Sequence, residues 1–549
     1  MRKLLSVIIC LAVIFCTLPV CYAASGNTYY FDCENGDDSN SGTSENCAFK
    51  TLAKANSLTL NPGDSLLFKA GCIFNGNLLI TTSGEKDNEI IVSSYGDTAT
   101  MGKPIFRSDD DVTLLHILNA SFINVSDIAF TAPNGKGLYI YATEGCVTTD
   151  VTVSDCYFSN IYYRECSYCN HYPISLVSSG KDARLENIAV TNCKIEKCAY
   201  GVNMGGTTVE WQDDIFVSPE ESYNRNFLLD GLTLSDIYND GIIICAVYGL
   251  LIRNCSLIDT STSTDHYTAP MWSHHAKNYV IENCEIAGST NYLDGMAVDF
   301  DGWTTDATYQ YIYSHDNARF IRNCCYDNYT CNDNCTVRYC LSVNDNAYGN
   351  ELAQMLTSGS MDYAEDEYAK YMTNFKFYNN TIINASSFKL SGLKDAVIAN
   401  NIFVGDISTS FIDGRKSTDD NGKWVMNVFD GTITNNCFYG CGFPSEAKNN
   451  YITYPGFVSD NIDDKNSFML TKDSNLLGKG IQVCDDMGEY DFYGNALTDV
   501  HNIGCYDGTG EDMEGVSISF FDRIKAFFGT ILGTIYNFID NCNNKYWLF

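Results

Sequence analysis

The chain is short of positive charge. Its 34 Lys and Arg face 68 Asp and Glu, a formal net charge of −34. Nucleic acid is thereby excluded as a partner, because phosphate backbones are held by clustered Lys and Arg. The same imbalance disfavours anionic membranes and any capture of polyanions by long-range attraction. A dispersed acidic surface serves solubility. Long apolar runs are also missing beyond the first residues: no later stretch has 18 consecutive apolar residues, so no segment reads as a membrane span. Residues 1–23 read as a secretory leader, with Arg2 and Lys3, the apolar run Leu4–Val20 and a small-residue cleavage site at Cys21-Tyr22-Ala23. The expectation is a secreted, extracellular protein.

What the chain does have is a short phrase that keeps returning. Its copies are VTVSDCYF (151–158), IAVTNCKI (188–195), LLIRNCSL (250–257), YVIENCEI (279–286), FKFYNNTI (375–382), AVIANNIF (396–403) and GTITNNCF (431–438). Alternating apolar and polar residues have the period of a strand. Single strands repeated with turn-rich sequence between them, and no long helices, define a solenoid in which each turn buries its face on the next. The Asn or Cys after the strand fits an inward stack, where Asn amides bond from rung to rung. This predicts an all-β fold, a right-handed single-stranded parallel β-helix.

Of 25 cysteines, Cys10, Cys16 and Cys21 fall in the leader, leaving 22. Cys156, Cys193, Cys255, Cys284 and Cys437 are read as thiols stacked at the inward position, where a small apolar residue suffices. Disulfides are expected in loops instead, at Cys33/Cys47, Cys166/Cys169 or Cys331/Cys335. Cys166-x-x-Cys169 with His171 lacks a second ligand pair at zinc spacing.

The stretch 29–56 carries a tyrosine-rich strand, an Asn-Gly/Asp/Ser turn region and a Phe-x-Thr-Leu helix start at Phe49–Leu52, followed by a Pro-Gly-Asp turn at 62–64. It resembles the amino-terminal entry of pectate-lyase-like β-helix proteins, and HNIGCYD (501–507) resembles their closing segment. The resemblance implies a small N-terminal cap with the first turns over 24–118 and a β-helix over 119–510. A C-terminal tail, 511–549, carries an amphipathic helix: Phe520, Ile524, Phe527, Phe528, Ile531, Ile535 and Phe538 recur at helical steps. Capping of the solenoid or self-association is expected of it. The stretch 350–372 is read as partly helical.

The chemistry-bearing stretch is 291–320. On a strand AVDFD, Asp299 and Asp301 share one side and Val298 and Phe300 the other, with the two Cα atoms about 6.5–7 Å apart. That spacing suits the carboxylate pair of a glycoside hydrolase. If QYIYSHD is the next strand in register, Tyr311, Tyr313 and His315 flank the pair and supply stacking rings and an imidazole. This stretch also resembles a set of secreted, carbohydrate-active β-helix proteins. The resemblance implies Trp272, Glu285, Asp294, Gly295, Asp299, Asp301, Gln310, Tyr311, Tyr313, Ser314, His315, Asp316 and Asn317 as site positions. Catalysis is assigned to Asp299, Asp301, His315 and Asp316. Substrate contacts are assigned to Trp272, Glu285, Asp294, Tyr311, Tyr313, His275 and Asp240.

Three functions remain open. One is a glycoside hydrolase acting on a plant-type or other complex polysaccharide or oligosaccharide. Another is a calcium-dependent lyase or uronate epimerase, with Lys277 or Arg319 as the nearest base. The last is a glycan-binding protein without chemistry. No cofactor is required, although Asp299 and Asp301 with Asp294 or Asp316 offer oxygens suited to Ca²⁺.

Overall fold

The computed structural model describes residues 26–512, apart from 163–168, 207–209, 213–214, 218–222, 325–331, 349–352, 359–371, 391, 406–410, 414–416, 419–423, 426–428 and 445–446. The expected leader and the expected helix Phe520–Phe538 lie outside the described residues. Among the described residues, no helix is long and apolar enough to cross a membrane.

Among the described residues the strands form one 25-stranded and one 13-stranded sheet, paired in parallel from rung to rung, plus two small antiparallel hairpins. This is a parallel β-helix. One rung shows the construction. Its long strand Met271–Glu282 pairs with Met296–Phe300 through its first half and with Thr305–Gln310 through its second. The bend between the halves falls at His275, whose φ is 50°. The large sheet therefore covers two faces of the solenoid. The third face is the 13-stranded sheet, to which Glu285–Ala287 and Tyr313–His315 belong.

The recurring phrase divides into two jobs. Its first Asn or Asp turns the chain between faces: Asp155, Asn192, Asn254, Asn283, Asn379, Asn400 and Asn435 all have φ between 52° and 58°. Asn and Asp tolerate that left-handed conformation better than other residues with a Cβ. Its second residue points inward. Cys193, Cys255, Cys284 and Cys340 each donate their thiol to the carbonyl two residues back, at 3.2–3.4 Å. Asn380, Asn401 and Asn436 occupy the same place in later rungs and bond to one another, with Nδ2–Oδ1 distances of 3.0 Å. Cys437 is a correction: Asn436 takes the inward position, and Cys437 lies one residue on, paired with Ile402. The aromatic column Phe74–Phe106–Phe130–Phe158 begins the core of the third face.

The loop disulfides need correction as well. Cys33 and Cys47 are both reduced, because Cys33 neighbours Cys72 instead; its N–H donates to Cys72 Sγ at 3.2 Å. Cys335 is a buried thiol, donating to Thr304 O, while Cys331 lies outside the described residues. Cys169 is in a disulfide. The stretch expected to be partly helical contains a strand, Ala353–Ser358.

Both ends carry additions. At the N-terminal end a short helix, Leu52–Asn56, is capped by Thr51 and packs Leu52 and Ala55 onto the core. At the other end residues 474–507 fold back along the outside. Asn379, Asn400 and Asn435 donate to the carbonyls of Asn502, Ile481 and Lys479 in that segment, and Arg338 donates to Asp486 O at 2.7 Å.

Candidate active site

Adjacent rungs align Trp272, Asp299 and Arg322 in one outward column. Val298 and Phe300 are fully buried, as alternation requires. Asp301 follows Phe300, and its N–H donates to Ser273 O at 2.9 Å. The Cys324 thiol donates to Asp301 Oδ1 at 3.0 Å. Arg322 Nη1 donates to Asp294 Oδ1 at 2.6 Å. Asp294 is placed by a tight turn: its N–H donates to Asn291 Oδ1, and the next residue is Gly295 at φ 57°. A Cβ at Gly295 would meet Asn291 O at 2.2 Å, so only glycine fits there. From the preceding rung Asp240 Oδ1 accepts from Trp272 Nε1 and from Ala269 N–H, both at 2.9 Å.

These groups perturb one another. Asp299 is 2% exposed. Burial first, and the neighbouring Asp301 charge second, hold its carboxyl well above the ordinary range. Burial also raises Asp301, against the pull of Arg322. Asp294 is pushed up to about 6 by burial, with Arg322 opposing. Burial works against the Arg322 charge too, yet Asp299, Cys324, Asp294 and Asp301 together keep its guanidinium protonated. Arg319, buried beside Asp294 and Asp299, is lowered by burial. Two guanidiniums thus serve three carboxylates.

The structure brings Asp240, Trp272, Asp294, Asp299 and Asp301 together and leaves the other expected residues elsewhere. His275 is near them in sequence, but its ring is buried, stacked on Trp303 at 5.0 Å, and depressed to about 3 by burial. QYIYSHD is not one strand. Gln310 ends its strand, Tyr311 turns the chain with φ 57°, and Ile312 points inward, so Tyr313–His315 run on the third face. Tyr311 packs with Tyr339, Tyr378 and Met487 under the closing segment. Tyr313, His315, Asp316 and Glu285 form a separate cluster. The His315 ring lies between Asp316 Oδ2 at 2.8 Å and Glu285 Oε1 at 3.2 Å, with the Tyr313 ring 4.4 Å away. Neither Asp316 nor His315 joins the aspartate pair.

Sequence reading overlooked Arg322 and Cys324. Both come from the following rung, 23 residues after their partners Asp299 and Asp301. RFIRNC carries no turn signal that announces its register. For a metal, Asp299, Asp301 and Cys324 present one donor atom each within 4.8 Å of one another. Asp316 is not among them.

No protein-family model matches the chain. A lacto-N-biosidase from Bifidobacterium longum subsp. longum is 25% identical over 495 residues, covering 70% of this chain. The chain spans 29% of the length of that relative. A GH136 lacto-N-biosidase from Eubacterium ramulus has been solved as native protein and as a selenomethionine derivative. Each is similar to this chain with a TM-score of 0.50, at 20% and 19% identity. Each similarity covers 74% of this chain, and 68% and 67% of the enzyme respectively. The likeness agrees with the parallel β-helix fold.

Proposed function

We propose that the chain is a secreted glycoside hydrolase of lacto-N-biosidase type, acting on an oligosaccharide through the aspartates beside Trp272. The observation that carries the reading is the close approach of Asp299 and Asp301, whose oxygens lie within 4.8 Å, on a column that also holds a ring and a guanidinium. Retaining glycosidases hold their carboxyls about 5–5.5 Å apart, and inverting ones about 6.5–9.5 Å; this pair is read as the closer, retaining kind. The environments divide the labour. Asp301, held by the Cys324 thiol near Arg322, is the nucleophile, and Asp299, kept protonated by burial, is the acid. Trp272, fixed by Asp240, stacks on the sugar. Asp294 is the alternative acid, since its side chain keeps 14% exposure and its carboxyl sits at about 6. The lacto-N-biosidase likeness favours such an oligosaccharide over a plant-type polysaccharide. Arg319, held against carboxylates, is poorly placed to serve as the base of a lyase.

The test is release of the aryl group from a chromogenic lacto-N-biose glycoside, beside a panel of neutral and uronic-acid polysaccharides. Asp301→Asn is expected to lower kcat at least about a thousandfold, as loss of a nucleophile does. Asp299→Asn or Asp294→Asn lowers it comparably, and whichever does so identifies the acid. Wild-type rates in all three variants would reject the mechanism. Binding without turnover in the wild type would leave a glycan-binding protein.

A further inference from the structure

Hydrolysis does not require a thiol, yet one is built into this carboxylate cluster. Cys324 is 1% exposed and donates to Asp301 Oδ1 at 3.0 Å. Asp299 is 2% exposed, and its Oδ1 is buried with no hydrogen-bond partner. A buried carboxylate oxygen left unpartnered is costly, and a cation would satisfy it. Charge points the same way. With Asp299 protonated, Asp294 and Asp301 balance Arg319 and Arg322; once Asp299 and Cys324 both give up their protons, the cluster carries two excess negative charges. A divalent cation neutralises that sum. The donor set then selects the ion. Ca²⁺ takes six to eight oxygens, whereas sulfur with carboxylate is the choice of Zn²⁺. The neighbouring His274 imidazole acts electrostatically on Asp301, and its Nδ1 lies 2.7 Å from His275 Nδ1.

We propose that Asp299, Asp301 and Cys324 form a Zn²⁺-binding site, and that the bound ion inhibits the enzyme by occupying its reacting carboxylates. On binding, the Cys324 S–H bond and the Asp299 O–H bond both break. Each of these two atoms keeps its electron pair and bonds to zinc, and the two protons pass to the buffer, with no change of oxidation state. Asp299 Oδ1 gains the partner it lacks. The inhibition clause rests on the hydrolase reading above, and the binding clause does not.

Metal-free full chain is titrated calorimetrically with ZnCl₂ and with CaCl₂, beside Cys324→Ser and Cys324→Ala. Co²⁺ serves as a spectroscopic stand-in, since a cobalt–thiolate bond gives a near-ultraviolet charge-transfer band. Wild type is expected to bind Zn²⁺ about tenfold or more tightly than either variant. The cobalt band should appear in wild type, vanish in Cys324→Ser, and be bleached by Zn²⁺ but not by excess Ca²⁺. Equal zinc affinity in a folded variant, or a cobalt complex of wild type without the thiolate band, overturns the site. The second readout decides even if both variants fail to fold. Zinc that binds through Cys324 while glycoside release continues overturns the inhibition clause. A metal-free protein with no activity counts against the hydrolase reading, and the calorimetry stands by itself.

Discussion

Asp240 is buried, and its carboxyl is raised to about 7 by burial, with the Ala269 N–H and Trp272 indole only partly offsetting it. A carboxyl whose folded pKa exceeds its unfolded value favours the fold when protonated. Its contribution is therefore lost as pH rises from the ordinary aspartate value of 3.8 through about 7. The penalty at full ionisation is on the order of 4 kcal/mol. Asp240→Asn keeps the accepting oxygen and removes the titration. Its melting temperature should fall less than that of the wild type between about pH 5 and about pH 8; parallel curves would sink the assignment. Residues of this kind explain what sequence could and could not yield at the site. Asp299 and Asp301 were legible because strand alternation fixes which side chains share a face. His315 and Asp316 were misplaced because a single left-handed residue, Tyr311, sends the next strand to another face, and a tyrosine does not advertise that conformation. Arg322 and Cys324 depend on register between rungs, which loops of variable length erase.

At the scale of the strand and its corner, the two inward residue types differ in what they bind. Asn401 donates to Phe377 O at 2.9 Å and to Asn436 Oδ1 at 3.0 Å, and accepts from the Asn380 N–H and side chain. It is fully buried. Truncation to Ala strands several buried polar groups at once, and should cost about 3 kcal/mol or more. Cys255 makes only weak thiol contacts, to Arg253 O and to the Cys284 thiol, so Cys255→Ala should cost only about 1 kcal/mol. Urea denaturation of the two variants checks the contrast, and equal losses would mean that the amide ladder adds nothing. The repeat and its inward stack were plain in the sequence because alternation and a fixed polar position survive any loop length. That corner asparagines 379, 400 and 435 are tied from outside was not, since their partners are a segment distant in the chain.

That segment acts on the whole molecule. Residues 474–507 return along the solenoid over the rungs whose corners are Tyr311, Tyr339, Asn379, Asn400 and Asn435. Where it lies, corner asparagines are covered and bond both to one another and to its backbone: Asn435 Nδ2 reaches Asn400 Oδ1, and Asn400 Nδ2 reaches Asn379 Oδ1, each at 3.0 Å. Elsewhere, as at Asn283, the corner residue is exposed. At those three rungs the corner asparagine is bonded from outside while the inward asparagine is bonded within. A solenoid has few contacts between distant rungs, so its stability is a sum over neighbours. A covering strand tied to several rungs adds cooperation across them. Asn400 is the central tie, donating to Ile481 O at 2.8 Å and accepting from its N–H at 3.0 Å. In Asn400→Ala, amide exchange should quicken across residues 476–505 and in the rungs beneath, while the rungs before residue 260 stay as protected as in the wild type. Faster exchange confined to Ile481 would mean that the segment is held rung by rung. Exchange raised over the entire chain would mean that the tie supports the global fold.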